Sequence, residues 1–165
     1  MLQKLIGSGS FAKVYKGFDT RNNETVAIKM ISKENLDPLK LSIIEKEINI
    51  LRLLQHPNVI MIKDIKRTQN NIYLIMDYCP LGDLEGYMEK YYYDKALKLY
   101  HMPEFVVQKV VNQLAQALTL MREKNVVHRD LKLANILVSK DFIIKLADFG
   151  FAKFQESTKM LLESY

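Results

Sequence analysis

One helical stretch, "PLKLSIIEKEINILRLLQ", stands between two groups of strand-like runs, and this arrangement constrains the fold more than any other feature. Before it come "LQKLIGSG", "AKVYKGFDT" and "ETVAIKMIS", short β-rich runs separated by a Gly-Ser turn and by Arg21-Asn22-Asn23. That is the turn chemistry of a three-strand meander. After it come "VIMIKDIKR" and "NIYLIMDY", joined through Thr68-Gln69-Asn70-Asn71. Within the helical stretch Leu41, Ile44, Ile48, Leu51 and Leu54 recur at three- and four-residue steps, Pro38 suits the first turn, and His56-Pro57 ends the run. Five antiparallel strands interrupted by one helix are expected.

From about Met88 the pattern turns helical. Between Pro103 and Lys124, Val107, Val110, Val111, Leu114, Leu118 and Met121 fall on one wide apolar face, which predicts a long helix buried against something large. The connector "KYYYDKALKLYH" reads as a solvated or half-helical insertion rather than a nucleic-acid stacking platform, because its aromatics are adjacent and not spaced along one face. The expected class is α+β: a small strand-rich lobe over residues 1–78, then the opening of a helical lobe over 79–165.

Composition narrows the setting. A chain of 165 residues, 48% hydrophobic and 26% charged, has the make-up of a soluble globular domain. Its net charge of +5 suits anionic partners, but the lysines are scattered, as on an ordinary solvated surface. Cys79 is the only cysteine, so a disulfide within the chain or a zinc knuckle is excluded and a reducing compartment fits. No apolar run approaches the roughly 18 residues of a membrane span, and "MLQKLIGSGS" lacks the core of a signal peptide. The default location is cytoplasmic.

Three stretches carry chemistry. In "IGSGSFAKV", Gly7 and Gly9 let backbone amides approach a phosphate, with Ser10-Phe11 at the tip, although any glycine-serine hairpin looks similar. In "VAIK", Val26, Ala27 and Ile28 hold the stem of Lys29 in an apolar setting, and Glu47 on the helix is its natural countercharge; a surface lysine and a solvated glutamate are the alternative. The decisive stretch is "HRDLKLANIL", followed after a short strand pair by "LADFG". Asp130 supplies a carboxylate to accept a hydroxyl proton, Asn135 and Asp148 supply oxygens for magnesium, and Lys132 neutralises a migrating phosphoryl group.

The chain resembles the eukaryotic protein kinases, because "IGSGSFAKV", "VAIK", "EKEINIL", "HPNVIMI", "IYLIMDYC", "HRDLKLAN" and "DFG" occur in that family's order and at compatible spacings. The resemblance implies a nucleotide site for ATP and Mg2+ built on Ile6, Gly7, Ser8, Gly9, Ser10, Phe11, Ala12, Lys13 and Val14, with Lys29 on the α and β phosphates and Glu47 behind it. It implies Asp130 as catalytic base with Lys132 beside it, and Asn135 and Asp148 as metal ligands. It further places Met76 as gatekeeper, Asp77 to Cys79 as the hinge whose backbone binds adenine, and Asp83 near the ribose. Val14, Ala27 and Leu137 would sandwich the adenine, and Leu51, Ile62, Phe149 and His128 would stack as a spine between the lobes. Lys132 resembles the serine/threonine branch, and "GSGSFAKVYKG", "MDYCPLGDL" and "ADFGFAKF" are most like the autophagy-initiating kinases.

Two departures stand out: Ala12 where many members carry a third glycine, and Leu133 where a proline is usual, a change expected to slow turnover. After Gly150 only the beginning of an activation segment is present, with Ser157, Thr158, Ser164 and Tyr165 as candidate phosphosites and no Ala-Pro-Glu anchor. The resemblance therefore implies a partial kinase domain with an exposed apolar patch on its helical half, marginally stable alone and open to a regulatory partner. Phosphoryl transfer to Ser/Thr hydroxyls of proteins is the expected function. An inactive nucleotide-binding or interaction module is the alternative, and nothing beyond net charge favours a nucleic-acid binder.

Overall fold

The computed structural model describes residues 2–9, 12–34 and 36–155. β1 (Leu2–Ser8), β2 (Ala12–Asp19) and β3 (Glu24–Ser32) form the meander, α1 (Pro38–Leu53) follows, and β4 (Ile62–Arg67) and β5 (Asn71–Asp77) complete a five-stranded antiparallel sheet of order β1-β2-β3-β5-β4. Asn23 makes the β2–β3 turn at φ 53°, a left-handed position that asparagine tolerates, and the Asp19 carboxylate steadies the turn by accepting from the Arg21 backbone N–H at 3.0 Å. In β5, Ile72, Leu74 and Met76 are buried and alternate with half-buried neighbours, the period-2 signature of a strand with one face on the core.

α1 starts at an Asp37 cap, whose side chain accepts from Lys40 N at 2.8 Å, with Pro38 in the first turn where its missing N–H costs nothing. Ile44, Ile48, Leu51 and Leu54 are buried as expected, and Leu41 is exposed, because the packing face begins only at Ile44. The "VIMIKDIKR" run is also shorter as a strand than the sequence suggests. Val59 and Ile60 leave the sheet and turn to the other lobe, where the Ile60 N–H donates to Leu146 O at 2.9 Å.

The second half contains α2 (Leu84–Tyr92), a hairpin of β6 (Tyr93–Asp94) and β7 (Leu99–Tyr100), α3 (Glu104–Glu123), and the short strands β8 (Val126–Val127), β9 (Ile136–Val138), β10 (Ile144–Leu146) and β11 (Lys153–Phe154). The tyrosine-rich connector is thus half helix and half hairpin. β9 pairs with β10 and β8 with β11, and three 3₁₀ turns, Leu133–Asn135, Lys140–Phe142 and Phe149–Phe151, link these strands. One apolar core runs from Ile31 and Ile72 through α1 to β9, β10 and Phe149.

α3 corrects the expected face. Its buried stripe is Val106, Val110, Ala117 and Met121, while Val107, Val111 and Leu118 point outward, Val111 at 55% exposure. These sets lie about 100° apart around the helix, and the described residues cover only one of them. Val107, Val111 and Leu118 are 41%, 55% and 37% exposed, so each forgoes only part of the roughly 1.5–3 kcal/mol that full burial brings. The exposed apolar patch expected on the helical half is present.

Candidate active site

β3 lies between β2 and β5, with Lys29 opposite Val14 on one side and Leu74 on the other. Lys29 Nζ donates to Glu47 Oε1 at 2.6 Å, and the side chains are 21% and 9% exposed. At an effective dielectric near 20 their attraction is about 6 kcal/mol before desolvation, which takes back most of it. The pair therefore fixes where α1 sits more than it adds stability. Gly7 lies opposite Val14, and Gly9 N donates to Ala12 O at 2.8 Å to close the hairpin tip. A Cβ on Gly7 or Gly9 would meet only ordinary contacts, 3.7 Å and 3.8 Å at nearest, so the fold itself does not demand glycine at either place. Glycine at both places leaves backbone amides that an anion could approach without a side chain in the way. Ser10 and Phe11 lie outside the described residues.

The second cluster is built by the loop after β8. His128 is buried with its ring edge-on to Phe149, centroids 4.8 Å apart. Its Nε2 donates to Ala147 O at 2.9 Å, and Nδ1 lies 3.3 Å from Asp130 N, placed to accept from it. Asp130 Oδ2 accepts from Lys132 Nζ at 2.8 Å and from Asn135 Nδ2 at 2.9 Å. The Lys132 ammonium, then the Asn135 amide, hold the Asp130 carboxyl below the usual carboxylate range, and Asp130 in turn raises Lys132 above its ordinary value. Asn135 Nδ2 also donates to the Asp130 carbonyl at 2.9 Å, so its amino group faces Asp130 and its Oδ1 points away from that carboxylate.

Asp148 stands at φ 59°, its carboxylate accepting one long bond of 3.4 Å from Gly150 N. Arg129, at φ 66°, donates from Nε to Phe151 O at 2.7 Å. Left-handed backbone at non-glycine residues costs about 1–3 kcal/mol each and is held where geometry matters more than comfort. Among the described residues no three His, Cys, Asp or Glu side chains gather into a self-sufficient metal site. One carboxylate and one amide oxygen suit magnesium, which completes its shell with substrate phosphates and water.

A family profile described as Protein kinase domain matches residues 1–165. The chain belongs to the protein kinase family. It is 36% identical to the serine/threonine-protein kinase ATG1 of Debaryomyces hansenii over 94% of its length, and 41% identical to the serine/threonine-protein kinase ULK3 of Xenopus laevis over 95%. It is 37% identical to MAP3K epsilon protein kinase 1 of Arabidopsis thaliana over 92%. It spans 22%, 32% and 11% of those relatives.

In this chain the expected adenine-side residues fall on three elements. Ala27 lies opposite Met76 in the β3–β5 register, Val14 is on β2, and Leu137 is on β9, bridged to Asp83. Asp83 caps α2, accepting from Gly86 N at 2.8 Å, after Gly82, whose φ of 80° favours glycine. Burial pushes the Cys79 thiol up to about 11, so it stays a neutral, half-buried group. Ile6, Ser8 and Lys13 are exposed on the β1–β2 hairpin and Ala12 packs on the core. Of the expected spine, His128 and Phe149 touch, and α1, which carries Leu51, packs on the Phe149 turn. The candidate phosphosites Ser157, Thr158, Ser164 and Tyr165 lie outside the described residues.

Two structural partnerships escaped the sequence reading. The Asp77 side chain serves the scaffold: it accepts from Met61 N at 3.2 Å and pairs with Lys145 at 2.9 Å and Lys63 at 3.5 Å. A lysine inside the apolar run "FIIKLA" was the available signal, since a cation there needs a partner. Asn58 Nδ2 donates to Gln113 Oε1 and to Ile144 O, both at 2.9 Å, clamping β10 between α3 and the loop before β4.

Proposed function

We propose that the chain binds ATP with magnesium and transfers the γ-phosphoryl group to a serine or threonine hydroxyl of a protein. The observation that carries this reading is the Asp130 carboxylate held between Lys132 and Asn135, with Asn135 Oδ1 and Asp148 left for a cation. Bound there, magnesium would offset the charge of the phosphates. Lys29, steadied by Glu47, would hold the α and β phosphates, and the β1–β2 hairpin would cover them. Asp130, ionised at neutral pH, would orient the acceptor hydroxyl and take its proton late in the transfer, and Lys132 would neutralise the moving phosphoryl. Positioning and charge do the work that phosphoryl transfer requires. The likeness to ATG1 supports a place among the autophagy-initiating kinases, and the single cysteine supports a cytoplasmic setting.

A second reading, an interaction module without catalysis, is favoured only by the outward stripe of Val107, Val111 and Leu118. The complete polar set weighs against it. Transfer of labelled γ-phosphate from ATP to a generic Ser/Thr-containing protein decides: Asp130→Asn should abolish transfer while ATP still binds, and Lys29→Met should weaken both. Transfer that persists in Asp130→Asn would refute the assignment.

A further inference from the structure

Beyond α2 the chain projects a finger that phosphoryl transfer does not use. Tyr93 pairs with Tyr100 and Asp94 with Leu99, and Lys95-Ala96-Leu97-Lys98 joins the two strands. The Asp94 carboxylate accepts from Ala96 N at 2.8 Å and Leu97 N at 3.0 Å, and Lys98 adopts φ 52°, so the tip is a formed turn. His101 N donates to Tyr92 O at 2.8 Å, and the Tyr93 and Tyr100 rings meet at 5.0 Å, which closes the base. Yet Leu97 is 61% exposed, and Leu99 and Tyr100 are also open.

Cross-strand partners share a face of a ladder and successive residues alternate. Tyr93 and Tyr100 therefore mark one side of the finger, Leu99 the other, and Leu97 the end. A single flat protein surface covers one side of such a ladder; a fluid apolar medium covers both sides and the tip. Lys95 and Lys98 stand in the tip, Lys90 lies on the last turn of α2 with its Nζ 5.0 Å from the Tyr91 ring, and the one acid of the hairpin, Asp94, turns its carboxylate into the turn backbone. Lysine stems lie along apolar surface with their charges in water, and tyrosine rings settle at the boundary of hydrocarbon and water.

We infer that the 93–100 hairpin docks on an anionic lipid surface. Leu97 and Leu99 enter the headgroup boundary, Tyr93 and Tyr100 lie at its edge, and the lysines meet lipid phosphates. Because α2 packs on the turn Leu133–Asn135, docking would orient the catalytic loop relative to that surface.

The chain contains no tryptophan, so Leu97→Trp puts a lone reporter at the tip. With phosphatidylcholine/phosphatidylserine vesicles its emission should shift to the blue and the protein should sediment with the lipid. Phosphatidylcholine alone should give neither effect, and added salt should release the protein. Lys95→Glu/Lys98→Glu should weaken partitioning about tenfold or more, and Leu97→Ser/Leu99→Ser by about as much. Each variant is first matched to the parent by circular dichroism, and the tryptophan reporter decides the matter if a double variant misfolds. Equal partitioning onto neutral and anionic vesicles, no blue shift, or serine variants that bind like the parent would overturn the inference. So would binding of a glutamate-rich peptide, through the lysines alone, by a chain that ignores vesicles.

Discussion

Lys145 Nζ lies 2.9 Å from Asp77 Oδ2, with only 12% of each side chain exposed. Asp77 closes β5, where the chain leaves the sheet, and Lys145 sits in β10 three residues before Asp148. The same ammonium donates to Pro57 O at 2.9 Å. One lysine thus ties the interlobe segment, the loop before β4 and the strand that leads to Asp148.

Lys145→Met should destabilise the fold. Stranding a fully buried charge costs about 3–5 kcal/mol, but Asp77 keeps Lys63 and the Met61 N–H, so roughly 1–3 kcal/mol is expected. Urea unfolding measures it, and a double-mutant cycle with Asp77→Asn should return a coupling of about 1 kcal/mol or more. Strict additivity would show that the two residues are neighbours without being partners.

Glu47→Gln preserves shape and hydrogen-bonding capacity but removes the countercharge of Lys29. Phosphoryl transfer should fall about 10- to 100-fold in kcat/KM, since a preorganised cation loses its anchor, and the chain should lose roughly 1–3 kcal/mol of stability, because Lys29 stays mostly buried with only a neutral partner. If kcat/KM stays at the parent value, the pair does not position Lys29.

How much of this was readable in advance depends on whether a residue's role is local. The bounds of β1, β2, β3 and β5 follow from strand periodicity and turn residues, whereas Lys29 and Glu47 alone also suit a surface lysine and a solvated glutamate, and only the family motifs around them favour the pair. Asp130, Lys132 and Asn135 lie within one short loop, so their grouping was legible too. The misses are tertiary. Val59 and Ile60 have strand character but are claimed by β10 instead of the sheet, and α3 carries two apolar stripes whose choice depends on what packs there. Asp77 and Lys145, 68 positions apart in the numbering of the chain, give no local sign of meeting.

The pH response of catalysis tests the Lys132 contact. Lys132 and then Asn135 depress the Asp130 carboxyl, so it stays ionised, and the acid limb of transfer should lie below the ordinary carboxylate value near 4. Any stability linked to this carboxylate is present above its unfolded pKa and disappears as pH falls through the lower folded one. Lys132→Met removes the larger cause and should move the acid limb upward, toward that ordinary value, besides slowing transfer. Single-turnover rates across pH, set beside nucleotide affinity in the same buffers, separate the two effects. Coincident acid limbs in parent and variant would dissociate Lys132 from the ionisation of Asp130.

Leu133 offers the last test, because the backbone around it already accepts a proline. It opens the 3₁₀ turn Leu133–Asn135, where φ near −65° is normal, and Lys132 before it is extended at φ −154°, ψ 162°, the region a residue preceding proline requires. The turn's own bonds run from Asn135 N to Lys132 O and from Ile136 N to Leu133 O, and neither draws on the N–H at 133. Its side chain is exposed, so its loss leaves no large cavity. Leu133→Pro should therefore stabilise the chain by about 0.4–1 kcal/mol through a less flexible unfolded state, raising Tm by roughly 1–4 °C. By stiffening the loop that presents Asp130 and Asn135 it should also raise kcat with little change in ATP affinity. A lower Tm would mean that the native loop departs from proline geometry at 133; a higher Tm with unchanged kcat would mean that loop rigidity does not limit turnover.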